Sequence, residues 1–206
     1  MAYNSFRRTR SVLALLLAFV LWAAFPARVS AVGAAVELPS LAEFVEEVSN
    51  GDADSLRGIY VPDLMAGAIV PQPEGDRGFV SSEEDTLTQF RLAEEYGSTG
   101  LLAHNTLAGG YFSELEEGRV IILVYGGGRT ESYIVTETLR FRALDPENTR
   151  SLFLDLDRGG LLTTPQVFLD VYDRPGDVIL QTCIEAGGDP SWGRLFVIAE
   201  PYDTNP

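Results

Sequence analysis

The sequence contains no lysine, only one cysteine and only one histidine among its 206 residues. Without lysine, the chain cannot carry a Schiff-base lysine, the lysine of a phosphate-binding loop or a lysine isopeptide. One cysteine cannot form an internal disulfide, and one cysteine with one histidine cannot supply an ordinary structural zinc site.

Positive charge is also scarce, since 15 arginines stand against 30 acidic residues and the formal net charge is −15. Proteins that wrap nucleic acid need dense positive charge, so we expect no nucleic-acid partner. Hydrophobic residues make up 46% of the chain, which excludes a mostly disordered protein. The length fits one domain with a core of its own.

Residues 1–31 have the pattern of a secretory signal peptide. Three arginines in the first ten residues precede an apolar run of 14 residues, Val12–Phe25, and the triplet Val29-Ser30-Ala31 follows. A bilayer span needs about 20 apolar residues, so we expect cleavage after Ala31, with an uncleaved membrane anchor as the alternative. Both interpretations predict an extracytoplasmic protein, either secreted or at the cell surface.

Residues 32–56 are interpreted as a linker with one short helix. Ser40 and Glu43 have the spacing of a capping box, which predicts a helix that ends near Ser49, before Asn50-Gly51. We interpret it as a surface helix, with a lid over a substrate groove as the alternative.

Residues 57–203 contain short apolar segments separated by glycine and proline. The predicted strands are Gly58–Pro62, Ala68–Pro71, Gly100–His104, Arg119–Tyr125, Ser132–Phe141, Asp177–Ile184 and Leu195–Ala199. Gly126–Gly128 predicts a hairpin turn. A helix is predicted from Ser82 to Gln89, and Thr163–Tyr172 is either a loop or a short helix. Regular alternation of strands and helices is absent, which favours an all-β barrel or sandwich.

Three residues have the chemistry of a nucleophilic site: His104, Cys183 and Arg194. A thiol must become a thiolate to attack, and a histidine can accept its proton. An arginine beside the thiol can stabilise an oxyanion because it keeps its charge. Structural roles remain open for all three, namely a buried cysteine, a hydrogen-bonded histidine and an arginine in an ion pair.

The segment Leu180-Gln181-Thr182-Cys183 resembles the Thr-Leu-any-Thr-Cys signature of sortases, which are secreted or membrane-tethered cysteine transpeptidases. The resemblance extends in order over residues 57–203. Its further matches are Ile59–Pro62 with Ala68–Val70, Leu102–His104 with Phe112, Leu115 and Glu117-Gly118, and Arg194–Ala199.

This resemblance implies a closed eight-stranded β-barrel that acts as a transpeptidase or peptidase. It makes Cys183 the nucleophile, His104 the acid/base and Arg194 the oxyanion stabiliser, with Thr182 as a substrate-binding residue beside the nucleophile. The implied substrate is a secreted protein or peptide with a C-terminal sorting motif. A thioacyl enzyme would pass it to an amine acceptor on the cell wall or another protein, or to water.

The sequence departs from the sortase pattern at two positions beside the histidine. Ala103 stands where the family often has glycine, and Asn105 follows His104. Two other functions remain as alternatives. One is a non-catalytic secreted binding module of sortase-like fold. The other is an L,D-transpeptidase, whose cysteine and arginine are separated by one residue, whereas Arg194 follows Cys183 by eleven.

Two acidic segments bear on metal binding. Asp155–Gly159 resembles the start of a calcium loop, but Gly159 and Gln166 occupy positions of the usual ligands, so we interpret it as a loop with solvated acids. Glu114, Glu116 and Glu117 are the residues of an alternative regulatory calcium site. We expect no metal or cofactor in the reaction itself.

Overall fold

The structure is a computed structural model and describes residues 38–203. The signal-peptide and anchor predictions for residues 1–31 lie outside the described residues. In the described part of the chain, no helix has both the length and the hydropathy needed to cross a bilayer.

Ten β-strands, three α-helices and one 3-10 helix make up the described residues. The strands are β1 (Leu56–Val61), β2 (Met65–Pro71), β3 (Thr86–Phe90), β4 (Thr99–Leu102), β5 (Val120–Tyr125), β6 (Thr130–Ala143), β7 (Leu152–Asp155), β8 (Leu161–Thr163), β9 (Val178–Ala186) and β10 (Asp189–Pro201). The α-helices are α1 (Leu41–Val48), α2 (Arg91–Glu94) and α3 (Thr164–Tyr172), and the 3-10 helix is Ala108–Glu114.

Eight of the strands close into a barrel. Their order is β10-β9-β4-β3-β2-β1-β5-β6, and pairing of β6 with β10 completes the ring. The pairs β2–β3 and β4–β9 are parallel, and the other pairs of the ring are antiparallel. β7 and β8 extend outward from β6. The prediction of a closed eight-stranded barrel is therefore confirmed.

The barrel wall formed by β9 and β10 is buried on both faces. Leu180 and Val197 belong to the main core cluster, whereas Ile179 and Phe196 belong to a second cluster with Tyr172 of α3. Successive side chains of a strand point to opposite faces, so α3 covers the outer face of this wall.

The predicted helix near Ser40 is confirmed as α1. Its capping box is complete, because the Ser40 hydroxyl accepts from the Glu43 N–H and the Glu43 carboxylate accepts from the Ser40 N–H. Phe44 packs against Tyr60 of β1, which lies opposite β9 in the ring. The lid interpretation is therefore wrong, and α1 is a surface helix.

The helix predicted from Ser82 to Gln89 is wrong. Asp85 adopts a left-handed backbone conformation, with φ of 49°, and the chain then runs as β3 in parallel pairing with β2. Leu87 and Thr88 are fully buried in that pairing. Burial and strand pairing with a distant segment outweigh a local helix-capping pattern here.

The ambiguous segment Thr163–Tyr172 is a helix over most of its length. The Thr163 hydroxyl accepts from the Gln166 N–H, the Gln166 side chain accepts from the Thr163 N–H, and Pro165 lies in the first turn. The hairpin turn at Gly126–Gly128 is confirmed between β5 and β6. β7 and β8 were not predicted.

Candidate functional site

Two of the three candidate catalytic residues lie on neighbouring strands, and the third follows the end of an adjoining strand. Cys183 is on β9, and Arg194 of β10 is its direct partner in the antiparallel register. β4 runs parallel to β9 on the other side, with Leu102 opposite Gln181. His104 is the second residue after β4, and the bond from the Ala103 N–H to the Gln181 carbonyl carries the pairing with β9 one residue past Leu102. Extending this register predicts His104 next to Cys183.

Hydrogen bonds at the end of β4 hold the backbone that leads to His104. The Ala103 N–H donates to the carbonyl of Gln181 at 3.2 Å, and the Thr182 hydroxyl donates to the carbonyl of Ala103 at 2.9 Å. The carbonyl of His104 accepts from the N–H groups of Leu107 and Gly109, both at 3.0 Å. These bonds fix the His104 turn against β9.

Thr182 itself points away from the outer surface. Only 4% of the residue is exposed, and its hydroxyl is bonded to the backbone of Ala103. The side chain therefore positions the strand end, while its predicted contact with substrate stays a prediction.

All three candidate residues are reachable from solvent. His104 is exposed, and Cys183, a free thiol, and Arg194 are half-buried. Arg194 donates from one terminal nitrogen to the carbonyls of Ser191 and Gly193, at 3.0 and 2.8 Å, and makes no ion pair with the described residues. An arginine has five N–H donors, so its guanidinium can also bind a ligand oxygen.

A cavity of about 290 Å³ opens beside Arg194 on the outer face of β9 and β10. Its floor includes Gln181 and Phe196, and α3 contributes Phe168 and Tyr172. Tyr172 packs edge-on against Phe196, with ring centroids 6.2 Å apart, and also contacts Phe168. The result is a mainly apolar groove whose lining also includes Arg194 and the polar residues Glu147, Asn148, Thr149 and Thr164.

Ion pairs hold the outer wall of this groove. Arg158, after β7, binds both Asp155 and Asp170 of α3, and Arg140 of β6 binds Asp157. Only 4% of Asp155 is exposed, so the interpretation of this carboxylate as solvated is wrong. Burial by itself raises the pKa of Asp155, but hydrogen bonds from the backbone and side chain of Arg158 outweigh it and lower the pKa.

The described residues do not form a metal-binding site. Among residues 38–203, no group of three or more His, Cys, Asp and Glu side chains is placed to hold a metal ion. Glu114, Glu116 and Glu117 therefore do not form such a group.

Sequence reasoning missed the residues that line the groove. Gln181 could have been found, because it lies two residues before Cys183 and so shares its face of the strand. Tyr172 and Phe168 carry no comparable signal, since their distance from the site depends on how α3 docks.

No protein-family profile matches this chain, and no curated protein matches it in sequence. Solved structures of sortases do match it. Sortase C-1 from Actinomyces oris has a TM-score of 0.51 and 16% identity, over 82% of this chain and 83% of that chain. Sortase A from Listeria monocytogenes has a TM-score of 0.47 and 16% identity, over 73% of this chain and 89% of that chain. Such identity bears on the fold alone, and the fold of residues 38–203 is sortase-like.

Proposed function

We propose that this protein is an extracytoplasmic cysteine transpeptidase or peptidase that cleaves a sorting motif near the C-terminus of a secreted protein or peptide. One observation carries the proposal: Cys183 and Arg194 are paired on neighbouring strands, His104 follows the end of the strand on the other side of β9, and a mainly apolar groove opens beside Arg194. The signal-like residues 1–31 support an extracytoplasmic location.

In the first half of the proposed reaction, His104 accepts the thiol proton of Cys183. The thiolate sulfur attacks the scissile carbonyl carbon, and the carbonyl electron pair moves onto oxygen. Arg194 donates hydrogen bonds to this oxyanion. When the C–N bond breaks, the leaving amine takes the proton from His104, and the acyl group remains on Cys183 as a thioester.

In the second half, an incoming amine attacks the thioester carbon and loses a proton to His104. The C–S bond breaks, the thiolate takes the proton back from His104, and the acyl group leaves on the new amine. Water in place of the amine makes the same steps a hydrolysis. An amine on the cell wall or on another protein is the acceptor that the sortase resemblance implies.

The test combines intact-mass measurement with peptide cleavage. The purified protein is incubated with a thiol-directed vinyl sulfone and, separately, with a peptide library. We expect a mass gain on the native protein that disappears in Cys183→Ala, and cleavage that is lost in Cys183→Ala and strongly reduced in His104→Ala and Arg194→Ala.

Arg129→Ala serves as the matched arginine control, because Arg129 lies in the β5–β6 hairpin at the other end of the barrel. Full cleavage by Cys183→Ala would refute the mechanism. A thiol labelled only after denaturation, in a protein that still binds peptides, would favour the non-catalytic binding module.

A further inference from the structure

Gln181 lines the groove and lies on the same face of β9 as Cys183. Leu180 and Thr182, its neighbours on β9, are buried and point into the barrel, so Gln181 and Cys183 project from the outer face. Two residues of a strand span about 6–7 Å, which is also the spacing of alternate residues in an extended peptide. A peptide lying along β9 therefore passes Gln181 about two residues from its scissile bond.

The oxygen of the Gln181 amide is already bonded. The Tyr172 hydroxyl donates to Oε1 of Gln181 at 2.6 Å. Burial raises the pKa of Tyr172, so this hydroxyl keeps its proton and acts as the donor. Because the amide is planar, fixing Oε1 also restricts the direction of the Nε2 amino group.

The amino group of Gln181 is the part that remains for a ligand. Tyr172 supplies the one side-chain hydrogen bond that Gln181 makes within residues 38–203. Nε2 carries two N–H donors. The cavity is lined by aromatic rings and also by Glu147, Asn148, Thr149 and Thr164, and Nε2 makes no hydrogen bond to these polar side chains. A peptide that fills the groove would remove solvent from these donors.

We propose that Gln181 is a specificity-determining residue of this groove, whose amino group donates a hydrogen bond to an oxygen of the bound peptide about two residues from the scissile bond. This inference rests on the proposed function, in which the groove holds the peptide substrate. A donor left without a partner in a filled apolar groove disfavours binding, so a peptide without an oxygen at this place is discriminated against. The oxygen comes either from a polar side chain or from a main-chain carbonyl.

The experiment measures binding without turnover. The Cys183→Ala protein selects from a library of peptides with eight randomised positions, and the enriched peptides are identified and their Kd values measured. The same selection is made with two double variants, in which Gln181→Met or Gln181→Glu is combined with Cys183→Ala. Methionine has similar length and removes both hydrogen bonds, whereas glutamate keeps an oxygen for Tyr172 and replaces the amino donor with a charged acceptor.

We expect each Gln181 substitution to raise the Kd of the enriched peptides about threefold to tenfold. This is the effect of losing one hydrogen bond between neutral groups. A positional preference for oxygen-bearing side chains that disappears in both variants would assign the oxygen to a side chain. A uniform loss of affinity without a change of preference would assign it to the main chain.

Unchanged affinities and preferences in both variants would overturn the inference, and so would failure of the Cys183→Ala protein to enrich any peptide. Thermal unfolding of each variant, with Gln89→Met on β3 as a control outside the groove, shows whether the barrel is intact. Failure of the proposed reaction is distinguishable, because it would leave Gln181-dependent binding in place while thiol labelling or cleavage is absent.

Discussion

The hydroxyl of Thr182 donates a 2.9 Å hydrogen bond to the backbone carbonyl of Ala103, 79 residues earlier in the chain. Both residues are buried, at 4% and 5% exposure. Each immediately precedes a candidate catalytic residue, Cys183 and His104. One side chain thus joins the two segments that carry His104 and Cys183.

Thr182→Val removes this hydroxyl and leaves a buried carbonyl without its partner. We expect unfolding in urea to show a loss of about 1–3 kcal/mol. Displacement of His104 relative to Cys183 should also reduce peptide cleavage by up to about a hundredfold, since small misplacements of catalytic groups have effects of that order.

Thr88→Val is the matched control for Thr182→Val. The Thr88 hydroxyl is also buried and accepts a 2.8 Å hydrogen bond from the Ser81 N–H, but it lies on β3. The Thr88→Val variant should lose a comparable amount of stability. Its folded fraction should cleave peptide at the parent rate. Equal cleavage by the two variants would contradict the positioning role of Thr182.

Gly109→Ala should disturb the turn that carries His104. A Cβ at Gly109 would lie 2.3 Å from the Thr182 hydroxyl oxygen and 2.7 Å from the His104 carbonyl oxygen, far inside contact distance. We expect destabilisation of about 1–3 kcal/mol, measured by urea unfolding, together with slower vinyl sulfone labelling of Cys183.

Gly78→Ala provides the comparison, because the nearest atom to its Cβ would be 3.7 Å away. Its labelling rate and unfolding midpoint should match the parent protein. Normal labelling in Gly109→Ala would show that the His104 turn tolerates the shift.

Arg194→Lys should separate charge from hydrogen-bond geometry. Lysine keeps the positive charge but lacks the planar fork that can serve Ser191, Gly193 and an oxyanion together. We expect kcat for peptide cleavage to fall about a hundredfold to a thousandfold, the range for loss of one oxyanion donor. Labelling of Cys183 should fall much less, because it forms no such oxyanion. Equal losses in both assays would argue for a role in thiol activation.

Asp155→Asn should destabilise the protein in a pH-dependent way. Folding lowers the pKa of this carboxylate below its ordinary value, so its stabilising contribution is present above about pH 5 and is lost as pH falls through the folded pKa. We expect a loss of about 1–3 kcal/mol at pH 7, typical of hydrogen bonds to a charged group.

Urea unfolding of Asp155→Asn and of the parent protein at pH 7 and pH 3 checks this sign. The difference between the two proteins should shrink at the lower pH. A difference that stays constant would show that the charge of Asp155 contributes nothing beyond its shape.

Phe44→Ala should lower stability without affecting the site. Phe44 is 4% exposed and packs over Gly58, whose Cβ would lie 2.8 Å from the ring. Removing a buried phenylalanine costs about 3–5 kcal/mol. Because α1 lies across the barrel from β9, vinyl sulfone labelling of folded protein should proceed at the parent rate. A changed rate would revive a regulatory role for α1.

Much of the fold follows from local patterns. The capping box of Ser40 and Glu43 depends on residues three apart, and the turn at Gly126–Gly128 depends on glycines between two β-branched runs. Both predictions are confirmed, since local hydrogen bonds and backbone freedom act whatever the rest of the chain does. The Ser82–Gln89 prediction failed for the opposite reason, because β2 supplies a pairing partner that no local window contains.

For the candidate site, the sequence predicted which residues take part but did not predict the residues that surround them. A single histidine and a single cysteine leave one choice each for His104 and Cys183, and the alternation along β9 implies the direction of Gln181. The groove walls include residues of β7 and α3, and two ion pairs distant in sequence, Arg140–Asp157 and Arg158–Asp170, tie these segments together.

Local sequence alone thus accounts for α1, the β5–β6 hairpin, most strands and the chemical identity of the candidate residues. Tertiary packing was needed to turn Thr86–Phe90 into a strand, to close β6 onto β10 and to place the segment before His104 against β9. The physical reason is the range of the interactions. Capping and turn formation act over a few residues, whereas strand pairing and apolar burial depend on partners that only the folded chain brings together.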